Sequence, residues 1–311
     1  MPTQKTGYTT PTSLNTAGSN ANTTSEFAAI VQSATYTASG GALTSLTLKA
    51  ADPNATMTVS YDGTSKPNSL TIQSVNLSGV VKYNQTVTSL TGQSTPASTS
   101  AVQLDDAATA GSTPQNVAGV LMSYKPSGGA STTFKYQTFG PWAYENGSTG
   151  GNLSWFSYGI PFSATMPTTG TATYAGIAVG YYIDTSGTMY ATTADMSATA
   201  DFGASTMSFS TSNTNTIDVN SGATAANAAL DLTSSTTSPL TIKGNNFTGT
   251  VANAAGTISG NATGLFYGSS TGLTTGSAGG AAVGTPEEIG GTYAATGTGG
   301  AMMGAFGGKV Q

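Results

Sequence analysis

The chain contains no histidine, no cysteine and no arginine, since lysines account for all eight of its basic residues. The missing cysteines exclude a disulfide framework, a thiolate nucleophile and cysteine-based zinc or iron-sulfur sites. The missing histidines remove the commonest general base and metal ligand. With a formal charge of -5, no arginine and no basic cluster, nothing is in place to neutralise a run of phosphates, so nucleic acid is excluded as a partner. Charged residues make up only 7% of the chain, against about 25% in an average globular protein. No apolar run approaches the ~20 residues of a membrane helix.

Hydroxyls stand where charges usually do: roughly three residues in ten are Ser or Thr. Low charge with much Gly, Ser and Thr can mark disorder, but 37% hydrophobic residues and 14 tyrosines supply enough apolar surface for a core. The 311 residues are long enough for two domains. Residues 1–26 are Thr, Asn, Ser and Gly with almost no large apolar side chain, and read as a flexible arm. No basic stretch followed by an apolar one occurs from Met1 to Ile30, so no signal peptide is visible, and a lipid anchor has no cysteine to sit on.

From Ala34 onward apolar residues alternate with the two-residue period of strands, as in Leu46 and Leu48, then Met57, Val59 and Tyr61, with Asp62-Gly63 as a turn. Further strands are expected at Leu70 to Leu77, Val80 to Leu90, Val117 to Tyr124 and Thr132 to Phe139. Ser94 to Ser100 and Pro126 to Gly129 read as loops. Residues 27–165 are thus expected to form a β-rich, handle-like lobe. Residues 166–311 give about eight more strands, beginning with Thr171 to Ile183 and Met189 to Phe202 around a turn at Asp184 to Gly187, which suits an eight-stranded antiparallel β-barrel. Ala223 to Leu232 is the one stretch with helical propensity. The fold class is all-β.

Glycines at 176, 180, 260 and 264 within strands fit a narrow, tightly curved barrel. Phe202, Phe247, Phe266, Tyr293 and Phe306 are enough aromatics to fill its interior. A filled barrel is the expectation, and one holding a small ligand the alternative.

The C-terminal run reads Gly264-Leu-Phe-Tyr-Gly268, then Pro286-Glu-Glu-Ile-Gly-Gly291 with Thr292 and Tyr293, and finally Gly304-Ala-Phe-Gly-Gly-Lys309. This order resembles the closing strands of transferrin-binding protein B-like barrels. Phe139-Gly-Pro-Trp142, Tyr158-Gly-Ile-Pro161, Met166 to Tyr174 with Gly176, and Asp201-Phe-Gly203 resemble the approach to the same barrel. The resemblance covers about residues 130–310, and residues 27–130 match only in style. It implies a non-enzymatic protein of the extracellular space or bacterial cell surface that binds a protein or a small solute. Departures from the family's pattern narrow this. Members that bind haem use histidine near it, and this chain has none, so no haem cofactor is expected. The transferrin receptors carry a lipid anchor and charged loops that are absent here.

The residues single out one aromatic group, Tyr136, Trp142, Tyr144, Trp155, Phe156 and Tyr158, at the expected lobe junction. It is either a ligand or partner surface or the packing between lobes. Glu287 and Glu288 are the only adjacent glutamates, and beside Gly290 and Gly291 they are expected to satisfy turn amides or face solvent. Asp105 and Asp106 read as a solvated turn. No metal site or catalytic residue is assigned: the serines lack a base and a Gly-x-Ser-x-Gly element, and Gly276 to Gly284 lacks the ending of a phosphate loop. A different reading makes the chain a self-assembling subunit of a surface layer or filament, a homo-oligomer or polymer in which the N-terminal arm exchanges as a strand.

Overall fold

A computed structural model of the protein describes residues 24–39, 42–61, 67–75, 80–84, 87–94, 98–105, 116–124, 132–145, 149–277 and 280–311. The expected turn at Asp62-Gly63, the loop Pro126 to Gly129 and Asp106 lie outside these residues.

The chain builds two antiparallel sheets in succession. The first holds β1 (Thr24–Ser39), β2 (Ala42–Leu48), β3 (Asp52–Tyr61), β4 (Pro67–Gln73), β5 (Val80–Asn84), β6 (Val87–Ser94), β7 (Ser98–Asp105), β8 (Asn116–Tyr124), β9 (Thr132–Thr133), β10 (Gln137–Glu145) and β11 (Gly150–Gly159). Its order is β5-β4-β3-β1-β11-β10-β8-β7-β6, with β2 beside β1 and β9 beside β8. The strand β1 begins at Thr24, inside the segment whose composition suggested an arm, and Ser25 is already buried.

Because strand side chains alternate in direction, β1 carries two different faces. Phe27, Ala29 and Val31 point one way, toward Met57, Val59, Leu70 and Ile72, all buried. Ile30, Gln32 and Ala34 point the other way, toward the second sheet, and are also buried. Burial on both faces replaces the polar half of the alternation and gives β1 its nearly continuous apolar centre.

The same edge of β1 pairs first with β3 and then with β2, so the connection from Leu48 to Asp52 leaves the sheet as a short arch. The Lys49 amide donates to the Ser33 carbonyl at 2.9 Å, and Gln32 Nε2 donates to the Lys49 carbonyl at 2.5 Å. At the end of the arch the Asp52 carboxylate accepts from the Asn54 amide at 3.0 Å, the Ser74 hydroxyl at 2.7 Å and the Val75 amide at 2.9 Å. Its charge is turned away from the arch and into the first sheet.

The second sheet holds β12 (Thr171–Ile183), β13 (Met189–Asp201), β14 (Thr206–Asp218), β15 (Thr224–Ala226), β16 (Leu232–Ser234), β17 (Leu240–Lys243), β18 (Asn246–Asn253), β19 (Ser259–Tyr267), β20 (Glu288–Gly297) and β21 (Gly300–Val310). Pairing runs β13-β12-β21-β20-β19-β18-β16-β14, and β13 pairs with β14 to close the ring. Both β16 and β17 pair with β14 and with β18, so these two short strands share one position of a closed eight-stranded barrel. The stretch with helical propensity divides instead into β15, a single 3-10 turn at Ala228–Leu230 and β16. Pairing of β15 with Asn215 to Ile217 overrides the alanine propensity there.

Glycines make room for the aromatics inside. Tyr293, Gly304, Gly180 and Thr192 stand in one register row across four strands. A methyl group built on Gly180 would lie 2.4 Å from the Tyr293 hydroxyl, so the ring extends across both glycines. Phe247, Gly264, Gly291 and Phe306 form a second row, and a methyl on Gly264 would lie 2.1 Å from Phe247 Cζ. All five aromatics expected to fill the barrel are buried in one cluster, joined by Tyr174 and Phe209.

The lobe junction and its cleft as the candidate functional site

Register decides which way the six junction aromatics face. Trp155 lies opposite Pro141, and Phe156 opposite Gly140, so the two neighbours point to opposite sides of the first sheet. Trp155 packs against the barrel, its ring 5.3 Å from that of Tyr181, in a cluster that also holds Phe139, Ile177, Val179 and Met303. Tyr136 joins Ile30, Leu265 and Tyr267 in a second cluster between the lobes. Phe156, Tyr158 and Trp142 face away from the barrel, into the first sheet's own core, where the Tyr158 ring is 5.4 Å from Phe27. All five are at most 4% exposed. The side chain of Tyr144 lies outside the described part, and its backbone pairs with Asn152 and Asn116. Trp155 and Tyr136 help to build the junction, the other three fill the first sheet's core, and none of these five presents an open aromatic face.

The junction contains a feature that the sequence signalled only through its glutamate pair. Glu288 is fully buried, and its carboxylate accepts three consecutive backbone amides of the first lobe: Lys135 at 2.7 Å, Tyr136 at 2.9 Å and Gln137 at 3.1 Å. Successive amides aimed at one point form an anion-binding nest, here occupied by a side chain of the other lobe. Burial pushes the Glu288 carboxyl up to about 7, opposed by the three amides and by the ammonium of Lys309 across the strand pair. Glu287 turns the other way and accepts from the Ser269 hydroxyl at 2.8 Å and amide at 3.1 Å, holding the loop before β20.

Next to this latch, two paired glycines on the barrel's outer wall form a socket. A methyl on Gly307 would lie 2.3 Å from Gln137 Nε2 and 2.4 Å from Phe139 Cε1, and one on Gly290 would lie 2.7 Å from Gln137 Oε1 and from the Ser157 hydroxyl. The lobe thus rests on bare barrel backbone. The amide group of Gln137, fully buried, makes no hydrogen bond with any described residue. Ser157 meets the Tyr267 hydroxyl at 3.2 Å, and burial raises that phenol above its ordinary range. The connecting segment is also stitched to the barrel, since the Phe162 amide donates to the Phe266 carbonyl at 3.0 Å.

Beside the docked surfaces the two lobes diverge and leave a cleft of about 580 Å³. One wall is the pinned arch, with Leu48, Lys49, Ala50, Ala51 and Pro53. The other is the outer face of β17 to β20, where Thr241, Thr248 and Thr263 stand in one register row and the last two hydroxyls are 2.9 Å apart. Lys243, Asn246 and Asn261 flank the row. Pockets of this size accommodate small ligands. Among the described residues, no group of three or more carboxylates is placed to hold a metal ion, and no helix is long and apolar enough to cross a membrane.

Neither a protein-family model nor a curated protein sequence matches the chain. Solved structures similar to it include a transferrin-binding protein B variant from Haemophilus parasuis, at 17% identity and a TM-score of 0.40, covering 84% of this chain and 54% of that one. This chain therefore spans about half the length of that protein. The isotype 1 transferrin-binding protein B of serogroup B Neisseria meningitidis is 12% identical with a TM-score of 0.38, covering 93% and 77% of the two chains. A variant from Actinobacillus pleuropneumoniae is 13% identical with a TM-score of 0.38, covering 92% and 100%.

Proposed function

We propose that the protein is a non-enzymatic binding protein of the extracellular space or cell surface, and that its ligand is a small solute held in the cleft between lobe and barrel. The observation that carries this reading is the cleft of about 580 Å³ with walls contributed by two separate sheets. Both walls are held in place before any ligand arrives, the arch by Gln32 and Asp52, the barrel face by its closed hydrogen-bonded ring. Pre-formed walls lose little conformational freedom on binding, which favours affinity. The composition fits a binding role, because the chain lacks the His and Cys on which most acid-base and nucleophilic chemistry relies. The motif resemblance to transferrin-binding protein B-like barrels agrees with a binder of a protein or a solute, and the volume of the cleft favours the solute. The barrel interior, occupied by Phe247, Phe266, Phe306 and Tyr293, is the less suited site.

The test is a thermal-shift screen of small solutes against the chain and against a Thr263→Trp variant, in which an indole fills the cleft. A ligand present at 100 times its Kd stabilises the folded state by about 2.7 kcal/mol. The expected result is at least one solute that stabilises the native chain and not the variant. Solutes that stabilise both equally, or none that stabilises either, would overturn the assignment.

A further inference from the structure

We infer that the cleft takes a polyol of the mono- and disaccharide class, one hydroxyl of which donates to the side-chain oxygen of Gln32; this rests on the cleft being the binding site. Gln32 is only 3% exposed, and it lines the cleft from β1. Its Nε2 donates to the Ser33 carbonyl at 3.2 Å as well as to that of Lys49. Those two acceptors fix the amide, since the reverse orientation would set its oxygen against two carbonyl oxygens. Its Oε1 accepts from no described residue and is reached by solvent, unlike both polar atoms of Gln137. Gln32 thus has its donor committed to the arch and its acceptor open to the cleft. An acceptor already held in one direction costs little to use, and it requires a ligand that brings a donor.

The rest of the lining decides which donor. No Asp or Glu is among the described residues that line the cleft, whereas Lys243 is, so an ammonium donor would meet like charge without an offsetting carboxylate. A hydroxyl meets no such penalty. Thr248 and Thr263 share one hydrogen bond at 2.9 Å, which leaves the pair one hydroxyl hydrogen to give and lone pairs to receive. The amides of Asn246 and Asn261, exposed on adjacent strands, also donate and accept. Groups of this double character match alcohols, whose oxygens do both. Ala50, Ala51, Pro53 and Ala294 supply small apolar surfaces for C-H groups. Phe247, the one aromatic among the described lining residues, is fully buried in the barrel core, so a flat aromatic ligand would find no ring to stack on.

Binding of galactose, mannose, maltose and lactose, and of putrescine as a cationic donor without hydroxyls, is to be measured by calorimetry on the full chain and on Gln32→Met, Asn261→Ala and Thr263→Trp variants. For each sugar that binds, analogues lacking one hydroxyl are measured in turn. The expected result is binding of at least one sugar and not of putrescine, abolished by the indole and weakened about tenfold by Gln32→Met. Asn261→Ala, at an exposed position away from the arch, is expected to weaken it by a similar factor. One deoxy analogue is expected to bind the native chain about tenfold more weakly than its parent, and Gln32→Met as well as its parent does. That comparison sets two ligands against each other on one variant, so a loosened arch does not affect it. Failure of all four sugars overturns the inference, and leaves the cleft as the site if another solute stabilises the native chain and not Thr263→Trp. Putrescine binding that the indole abolishes overturns the hydroxyl requirement. Deoxy analogues that lose as much on Gln32→Met as on the native chain overturn the role of Gln32. Sugar binding that survives Thr263→Trp removes the cleft itself from the function.

Discussion

Glu288 is a buried carboxylate that one lobe inserts into the backbone of the other, and its proton is linked to the stability of the docked state. Burial raises its folded pKa from 4.5 to about 7, so between those values the folded chain holds a proton that the unfolded chain has lost. The contribution of Glu288 to stability is therefore full below about pH 4.5, falls as the pH rises toward 7, and is level above that, a change of about 3 kcal/mol from this group. Urea denaturation from pH 5 to 8 measures the slope, and a Glu288→Gln variant, which does not titrate, is expected to flatten it. Glu288→Ala leaves three buried amides unpartnered and is expected to cost about 3 kcal/mol. Gln137 gives the opposite sign. Its amide is buried without a partner among the described residues, so Gln137→Met, which keeps the shape and removes the polar atoms, is expected to be stabilising by about 1 kcal/mol in the same assay.

The strands show which parts of the architecture a sequence can carry. The strand β12 occupies Thr171–Ile183 as the alternation predicted, and β13 ends within a residue of expectation, because both have a wet outer side at their ends that keeps the two-residue period visible. The start of β1 was hidden by its Thr and Ser residues, which pair as well as apolar ones but send no periodic signal. The split of one barrel position between β16 and β17 was also illegible, since strands of three and four residues are shorter than the pattern needed to see them. The junction aromatics were legible as a group, yet Trp155 and Phe156 are consecutive and a strand sends consecutive side chains to opposite faces, so they were never one surface. The cleft had no sequence signature, because its two walls, residues 48–53 and residues 241–296, come together only through docking of the two sheets.

Two glycines of the same strand allow a comparison at this scale. Gly304 faces the barrel interior beneath the Tyr293 ring, while Gly307 faces outward beneath Gln137 and Phe139. Gly304→Ala is expected to destabilise the barrel itself by about 2 kcal/mol through overpacking, seen as a lower melting temperature with the lobes still docked. Gly307→Val is expected to separate the lobes instead, with accelerated hydrogen exchange at Lys135 to Gln137 and unchanged exchange in β18 and β19. Loss of protection in the same strands for both variants would contradict this division.

At the scale of the molecule, the docked surfaces make lobe and barrel one cooperative body. Two apolar clusters, the latch and the stitched connector all cross between the sheets. Heating at pH 5, where Glu288 is protonated, is expected to give a single transition by near-ultraviolet circular dichroism, read from Trp142 in the first core and Trp155 at the junction. In Gly307→Val the same trace is expected to divide in two.

The position of β21 in the chain sets the order in which these parts can be completed. This strand closes the barrel by pairing with β12, whose residues precede it by more than a hundred positions, and it carries the glycine on which the first lobe rests. Glu288, which fills the amide nest at Lys135 to Gln137, also arrives late. During synthesis the first lobe must wait, with Ile30, Phe139 and Trp155 uncovered, until the barrel strands that cover them, β21 among them, have emerged. Closing loops of that length is entropically costly and slow. The scarcity of charge on the surface then has a kinetic counterpart: throughout that interval, the chain's hydroxyls and its few lysines and carboxylates are what keep those uncovered faces from associating with one another.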